Sequence, residues 1–487
     1  MNDERQKIDV IDCEIMAKLD ERFHLVRTIG QYKQLHHLPI VHEEREQAVL
    51  KQATPYLYED EIQAIYQTIF AKSRALQAVR VGLVGKSLPY TLSPMIYQAM
   101  GFPDYQIIET NDLKKTLEKG TFQGLNVTIP YKEEAYRYCE QWDESAEITK
   151  VVNTVIGKKG YNTDYLAMID IFLSKKINFQ KQKVVIIGNG ATARSVKYAI
   201  LDVAKRTNVV LSSLVFLVRT PRAEEDVLLK DYMKHTDATM LINTTPYGMA
   251  PDTKTTPLFP IDQFHQLQWV MDVVYNPLKT PLLCAAKKQG ISIINGFHLL
   301  LMQAAQSATL IFGQEIDIKS LYQVLIKSIQ NIVLIGMPFS GKTHLGIQLG
   351  EAMHRTVIDF DQELQKRGQD LSTLLRHHQS VADFRKYEIQ LACELMDTRG
   401  AIIVPGGGIV LSDQAMDILK RNALVVFVDT PLDILKSRID GSRPLIQNLD
   451  DLDRLYRERR PLYEHYADMM SSEENGVLDK IYENLYY

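Results

Sequence analysis

Two stretches, Asn126-Val-Thr-Ile-Pro-Tyr-Lys132 and Asn162-Thr-Asp164, supply a lysine and an aspartate suited to moving a proton. A nearby carboxylate sets the protonation and orientation of an amine, and both groups can grip a substrate hydroxyl. The same two residues would serve equally well as a surface ion pair, since most charges are solvated. A second kind of chemistry is written in Gly336-Met-Pro-Phe-Ser-Gly-Lys-Thr343, which satisfies GxxxxGK[ST]. In that pattern backbone N–H groups from Gly336 to Gly341 cradle phosphates, Lys342 reaches the β- and γ-phosphates of ATP, and the Thr343 hydroxyl ligates Mg2+. A third stretch, Val184-Val-Ile-Ile-Gly-Asn-Gly-Ala-Thr-Ala193, is an apolar run entering a glycine turn, with Gly188, Gly190 and Ala193 spaced to receive a dinucleotide pyrophosphate. Taken alone it also fits an ordinary strand-to-helix turn.

Such residues need stiff supports. Pro130 fixes its own φ and biases Ile129 towards an extended conformation, so Lys132 is expected just past a strand on a stiff turn. From Val81-Gly-Leu-Val-Gly85 onward, strands and helices alternate, which argues an α/β architecture. Leu214 to Val218 reads as the second strand of the dinucleotide part and leads into Arg219-Thr-Pro-Arg222. Two arginines, Arg219 and Arg222, flanking Thr220 where an NAD site would carry an acid, suit the 2′-phosphate of NADP(H).

The first 78 residues follow another rule. Ile8, Ile11, Ile15, Leu19, Phe23, Val26 and Ile29 recur at the spacing of one helical face. A helix of about 30 residues is about 45 Å long, too long to bury its stripe within so small a unit, and a second copy of the chain is expected to cover it. Pro39 breaks the pattern, a second helix is expected over Glu43 to Gln52, and Ile62, Ile65, Ile69 and Leu76 mark a third. Arg22 and Lys33 share a face of the first helix, Arg5 lies about 100° away, and Ser73 and Gln77 form an i, i+4 pair on the third. A helical hairpin with solvated charges would also produce this pattern.

The fold class expected is therefore multidomain, an all-α segment over 1–78 followed by two α/β domains. These span 79–328, with a Rossmann part at about 179–296, and 329–487 with a P-loop. A chain of 487 residues allows roughly three domains. A net charge of −4, with no dense Lys/Arg block, gives no electrostatic case for nucleic acid or an anionic membrane, which leaves small molecules as the partners. Cys13, Cys139, Cys284 and Cys393 show no metal or disulfide spacing. The charged start and the lack of any run of about 18 apolar residues point to a cytoplasmic protein.

Several motifs carry family resemblances. Gly85-Lys-Ser-Leu-Pro-Tyr-Thr-Leu-Ser-Pro94, Val151-Val-Asn-Thr-Val155, Asn243-Thr-Thr-Pro-Tyr-Gly-Met249 and Asp272-Val-Val-Tyr-Asn-Pro277, together with the lysine stretch, resemble shikimate dehydrogenase over about 79 to 328. The resemblance implies that Thr91 and Ser93 bind a substrate carboxylate, although Tyr90 and Thr91 replace the usual His and Ser. It implies that Thr128, Asn153, Lys132 and Asp164 hold ring hydroxyls, with the last two as the catalytic pair, and that Tyr275 and Gln303 complete the site. Ala191 and Val218 depart from the family's glycine and asparagine. NADPH-dependent reduction of 3-dehydroshikimate is implied, with a quinate dehydrogenase as the alternative.

The first segment resembles the all-helical chorismate mutases through Arg5, Asp12, Arg22, Lys33, Arg45-Glu46, Ser73 and Gln77. By that resemblance Arg5 and Arg22 bind carboxylates, Arg5 reaching into a partner's pocket in an intertwined homodimer. Lys33 and Gln77 face the ether oxygen and Glu46 takes a hydroxyl. His42 stands where the family carries an acid, which leaves open a regulatory module that binds chorismate or prephenate without turnover. The last segment resembles shikimate kinase through Asp359-Phe-Asp361, Phe384-Arg385 with Glu388, Gly406-Gly-Gly408, Arg443-Pro-Leu445 and Arg459-Arg-Pro-Leu-Tyr463. Asp361, Arg385, Gly406, Gly407, Gly408 and Arg459 would hold shikimate, Asp359 would lie near Mg2+ or the accepting hydroxyl, and Arg443 would close from a lid. Phe339 and Pro405 depart from the pattern.

Overall fold

The structure, a computed structural model, describes every residue except 1, 36–40, 78–79, 89–90, 119–121, 225, 251–255, 378–379, 441–444, 447, 472–479 and 482–487. The side chains of 2, 24, 27–28, 30–32, 34–35, 75–77 and 80 are likewise outside it. Pro39 and Tyr90 lie outside the described residues. The chain divides into two compact units, residues 1–163 with 307–314, and residues 164–306 with 315–487.

In the first unit, the isoleucine stripe forms α1 (Asn2–Leu35), followed by α2 (Glu43–Leu50) and α3 (Glu59–Gln77). The stripe is covered only between Leu19 and Val26: Leu19 and Phe23 are half-buried and Val26 is buried, as is Phe70 of α3, whereas Ile8, Ile11 and Ile15 are 55%, 53% and 51% exposed and Ile29 is exposed as well. The same unit carries a mixed sheet of β1 (Arg80–Gly85), β2 (Gln106–Glu109), β3 (Phe122–Val127), β4 (Gln141–Trp142), β5 (Thr154–Ile156) and β6 (Lys159–Tyr161), in the order β2-β1-β3-β5-β6-β4. The pairs β1/β2 and β1/β3 are parallel, and β3/β5 and β5/β6 antiparallel. Asn126 pins this sheet from inside. Its Oδ1 accepts from the Tyr97 and Tyr105 hydroxyls, both at 2.7 Å, and its Nδ2 donates to Thr154 at 3.1 Å and Ser307 at 2.5 Å. A buried amide satisfied at both ends fixes the register of the strand that leads to Lys132.

The second unit holds two wholly parallel sheets. The first consists of β7 (Lys183–Ile187), β8 (Ser213–Val218), β9 (Asp226–Leu228), β10 (Met240–Asn243), β11 (Trp269–Asp272) and β12 (Ser292–Ile294), in the order β12-β11-β10-β7-β8-β9. This is the doubly wound Rossmann order, with its reversal between β7 and β10. The second consists of β13 (Asn331–Ile335), β14 (Val357–Asp359), β15 (Ile402–Val404), β16 (Ala423–Val428) and β17 (Met469–Ser471), in the order β14-β15-β13-β16-β17. The central strands β7, β10, β13 and β16 are almost wholly buried and rich in Val, Ile and Leu, as strands covered on both faces must be. Gly296, which opens the helix Gly296–Phe312, packs so closely on β11's outgoing loop that a Cβ there would meet the Val273 carbonyl oxygen at 2.1 Å. Among the described residues no helix is long and apolar enough to cross a membrane.

Candidate active sites

The Lys132 stretch forms a short turn after β3 and passes straight into the helix Lys132–Tyr138, so the lysine heads a helix. Its carbonyl accepts from Val152 N–H at 3.0 Å, which ties the turn to the segment carrying Asn153. Asn153 is buried, and its Oδ1 accepts from the Thr163 amide at 2.7 Å and the Thr163 hydroxyl at 3.1 Å. That carbonyl oxygen therefore anchors the start of the helix Thr163–Ser174, whose first turn bears Asp164. Thr91 donates to the Ser93 hydroxyl at 3.1 Å and accepts from the Ser93 amide at 3.2 Å, bringing together the two hydroxyls expected to meet a carboxylate. Thr128 is half-buried beside Gly85, where a Cβ would press on its methyl at 2.9 Å.

In the Rossmann sheet, β7 runs into Gly188 at φ 103, and Gly190 caps the helix Ala191–Arg206, within which Ala193 is fully buried. The helix N-terminus and its unpaired amides suit a pyrophosphate. The Arg219–Arg222 loop follows β8 and is exposed. Asn189 donates to the Thr220 carbonyl at 3.2 Å and to Asp226 Oδ2 at 2.9 Å, so the glycine turn and the arginine loop are tied together. Tyr275 follows β11, whose last residue, Asp272, is buried and accepts from Asn243, the Val274 amide and Thr280. Burial pushes that carboxyl up to about 7 against the pull of these donors. Gln303 donates to its own helix's Leu300 carbonyl at 2.9 Å.

The phosphate loop after β13 behaves as its sequence demands. Gly341 caps the helix Lys342–Met353 at φ 83, and Lys342 Nζ is held by the carbonyls of Gly336 at 3.0 Å and Met337 at 2.8 Å. Thr343 donates to Asp359 Oδ2 at 2.8 Å, which places a hydroxyl and a carboxylate together as an Mg2+ site requires. Among the described residues no three His, Cys, Asp or Glu side chains cluster to hold a metal, so an ion at Thr343 and Asp359 would complete its shell with phosphate and water. Phe339 takes the family's glycine position at φ 68, a left-handed conformation costing roughly 1–2 kcal/mol for a side-chain-bearing residue. Its ring packs against the segment's core.

Beside this loop is a pocket of about 230 Å³, whose lining includes Asp361, Arg385, Glu388, Gly406 to Gly408 and Arg459. The glycines are required by proximity: a Cβ on Gly406 would meet Glu388 at 2.9 Å and Asp361 at 3.3 Å, and one on Gly408 would overlap Arg385. Arg443 lies outside the described residues. In the helical segment, Arg22 Nη1 donates to Ser73 Oγ at 2.6 Å, joining two of the expected groups. Arg5 is exposed and Lys33 half-buried. The Gln77 side chain lies outside the described residues. His42 precedes α2 without making a side-chain cap.

Three residues escaped the sequence reading. Arg74 clamps both oxygens of Glu46, at 2.9 and 2.7 Å, from 28 residues away. Arg438 donates to the Phe339 carbonyl at 3.3 Å, putting a cation on the phosphate loop. Asp226 braces the arginine loop. Glu388, by contrast, was named only within a motif, yet it is 1% exposed and pairs with Arg385. Burial raises its carboxyl from the usual 4.5 to about 7, against the pull of Arg385. A folded-state pKa above the unfolded one gives stability that is complete below about pH 4.5 and lost as pH rises through about 7. Glu388→Gln should remove that slope. Its unfolding free energy relative to wild type should rise by up to roughly 3 kcal/mol between about pH 5 and about pH 8, read by denaturant titration.

Comparison with known proteins divides the chain in the same order. The model of chorismate mutase type II matches residues 4–78, that of the shikimate dehydrogenase substrate binding domain 83–155, and that of shikimate kinase 338–486. A shikimate dehydrogenase (NADP(+)) from Methanosphaera stadtmanae is 30% identical over 275 residues, covering 51% of this chain and 96% of that protein. The shikimate dehydrogenase (NADP(+)) of Moorella thermoacetica is 31% identical over 279 residues, covering 50% and 92%. Among solved structures, a chorismate mutase/shikimate 5-dehydrogenase fusion protein from Clostridium acetobutylicum is similar at 24% identity and a TM-score of 0.46, over 51% of this chain and 97% of that one. The central half of the chain belongs to the shikimate dehydrogenase family, and with a chorismate mutase segment before it and a shikimate kinase segment after it, the chain is a trifunctional fusion.

Proposed function

We propose that one chain reduces 3-dehydroshikimate to shikimate, phosphorylates shikimate, and rearranges chorismate to prephenate. The observation that carries this reading is the tandem, non-overlapping order of the three family matches, each over a segment with its own set of polar side chains. NADPH, when bound, supplies the hydride. Lys132 and Asp164 hold and protonate the reacting oxygen, Thr91 and Ser93 take the carboxylate, and Thr128, Asn153, Tyr275 and Gln303 orient the ring. Gly188, Gly190 and Ala193 admit the pyrophosphate, and Arg219, Thr220 and Arg222 the 2′-phosphate.

In the kinase segment, Asp361, Arg385, Arg459 and Gly406 to Gly408 orient shikimate, and Lys342 neutralises charge on the phosphates. Asp359 would receive the accepting hydroxyl's proton or, with Thr343, would hold Mg2+, which would supply charge neutralisation at the phosphates when bound. Arg443 closes from the lid and excludes water. In the helical segment, catalysis is positioning alone: Arg5 and Arg22 hold carboxylates, Lys33 and Gln77 meet the ether oxygen, and Glu46 takes the hydroxyl. The match over 4–78 is to an enzyme family, which favours turnover over sensing.

A homodimer completes the helical site. The exposed Ile8, Ile11 and Ile15 form a contiguous apolar edge on a 34-residue helix, which a second copy of the same helix would cover and across which Arg5 would reach the neighbouring pocket. A cytoplasmic setting, where small phosphorylated and nucleotide ligands are at hand, is part of the same reading. Two measurements test these statements. Lys132→Ala should lower dehydrogenase kcat by at least about 100-fold, as loss of a general acid does, while phosphorylation of added shikimate persists; loss of both in a folded variant counts against separate sites. Ile11→Lys should turn a dimer into a monomer in sedimentation and abolish mutase turnover, and a monomeric wild type would refute the shared site.

A further inference from the structure

Asp226 opens β9 opposite Phe216 of β8, beside the exposed loop Arg219-Thr-Pro-Arg222. Its Oδ2 accepts three hydrogen bonds: from the Arg222 amide at 2.7 Å, the Ala223 amide at 3.3 Å and Asn189 Nδ2 at 2.9 Å. The same Asn189 amide group donates to the Thr220 carbonyl at 3.2 Å. Asn189 sits between Gly188 and Gly190, so one carboxylate and one amide join the end of the arginine loop to the turn at the helix N-terminus. Partial burial works to raise the Asp226 carboxyl, but the Arg222 amide, the Asn189 side chain, the Ala223 amide and the Arg222 charge together bring it below the usual carboxylate range. Asp226 is therefore ionised at neutral pH.

A negative charge here has two opposite possible consequences. An acid beside an adenosine ribose repels a 2′-phosphate and accepts from free ribose hydroxyls, which selects NAD. An acid engaged by backbone amides instead fixes the loop that bears them. Oδ2 already receives three donors, two of them the consecutive amides of Arg222 and Ala223, so this oxygen is committed to the turn that presents Arg222. An exposed loop with two long cationic side chains otherwise loses conformational freedom on meeting its ligand, and a loop ordered beforehand avoids that loss.

We propose that Asp226 is a positioning residue for cofactor choice, holding Arg219-Thr-Pro-Arg222 against the Gly188-Asn-Gly190 turn so that its arginines meet the 2′-phosphate of NADP. This rests on the reading of the central domain as an NADP-dependent dehydrogenase. The effect is specific to the phosphorylated cofactor, because the pyrophosphate turn is shared by NADP and NAD whereas the arginine loop serves only the 2′-phosphate. It is an effect on binding, since the contacts of Asp226 are with the arginine loop and the glycine turn, which serve the phosphates and not the transferred hydride.

The test uses the full chain with Asp226→Asn and Asp226→Ala, assayed with NADPH and NADH in turn, with shikimate phosphorylation as the control for folding. Loss of a charge-assisted brace should raise KM for NADPH by roughly tenfold while kcat and KM for NADH stay within about twofold. An NADPH KM that is unchanged or lower, or a parallel rise for both cofactors, overturns the proposal, the lower value because it means the charge repels the phosphate. A wild type without preference for NADPH overturns the underlying reading and the proposal with it. A wild-type preference for NADPH that keeps its full size in both variants overturns the proposal alone.

Discussion

Two strands of the second unit end against a neighbour that leaves no room for a β-carbon. A Cβ on Gly188 would come within 2.8 Å of Thr244 Oγ1, and one on Gly336 within 2.7 Å of the Val428 carbonyl oxygen. Thr244 directly follows β10, the strand beside β7, and Val428 ends β16, the strand beside β13. The crowding forces the chain to leave the sheet abruptly, and the next helix begins with its free amides at the carboxyl edge. A crevice at the switch point with a positive helix end is where open parallel sheets bind phosphorylated ligands. Both nucleotide sites thus follow from one packing constraint, and the other side chains are arranged around it. Lys342 is held by its own loop's carbonyls, and Asn189 by the arginine loop and Asp226.

The first unit solves a different problem with buried polar groups. Asn126, satisfied by two tyrosines, a threonine and a serine, fixes β3, while Asn153 fixes the first residue of the helix that carries Asp164. Each amide removes a degree of freedom from the segment it braces, the strand before Lys132 in one case and the helix bearing Asp164 in the other. The fusion has a chemical logic for two of its three activities. The dehydrogenase's product, shikimate, is the kinase's substrate, whereas chorismate arises only after further steps, so hand-off cannot account for the helical segment.

What was legible in the sequence was local. The stripe from Ile8 to Ile29 gives α1, the glycine turns give the two strand-to-helix junctions, and the alternation of strands and helices gives the α/β architecture, because each depends on neighbours a few residues away. The reversal within β3-β5-β6 was not legible, as strands of three residues leave no alternation to read. Nor was the restriction of cover on the α1 stripe to Leu19, Phe23 and Val26, which depends on where α3 lies. Lys132 was expected in a turn and instead heads a helix. Arg74 on Glu46 and Asp226 on the arginine loop are pairings set by tertiary packing, and no periodicity or motif marks them. Phe339 was visible only as a departure, and the structure supplies its meaning, a side chain held at φ 68 where glycine is unstrained.

The most direct measurement follows both pathway-adjacent activities in one vessel. Purified full-length protein would receive 3-dehydroshikimate, NADPH, ATP and Mg2+, with NADPH oxidation and shikimate 3-phosphate counted together. The account predicts one phosphate ester formed for each NADPH oxidised, with shikimate accumulating instead when ATP is withheld. NADPH oxidation that yields no ester, or no oxidation at all with this substrate, would contradict it.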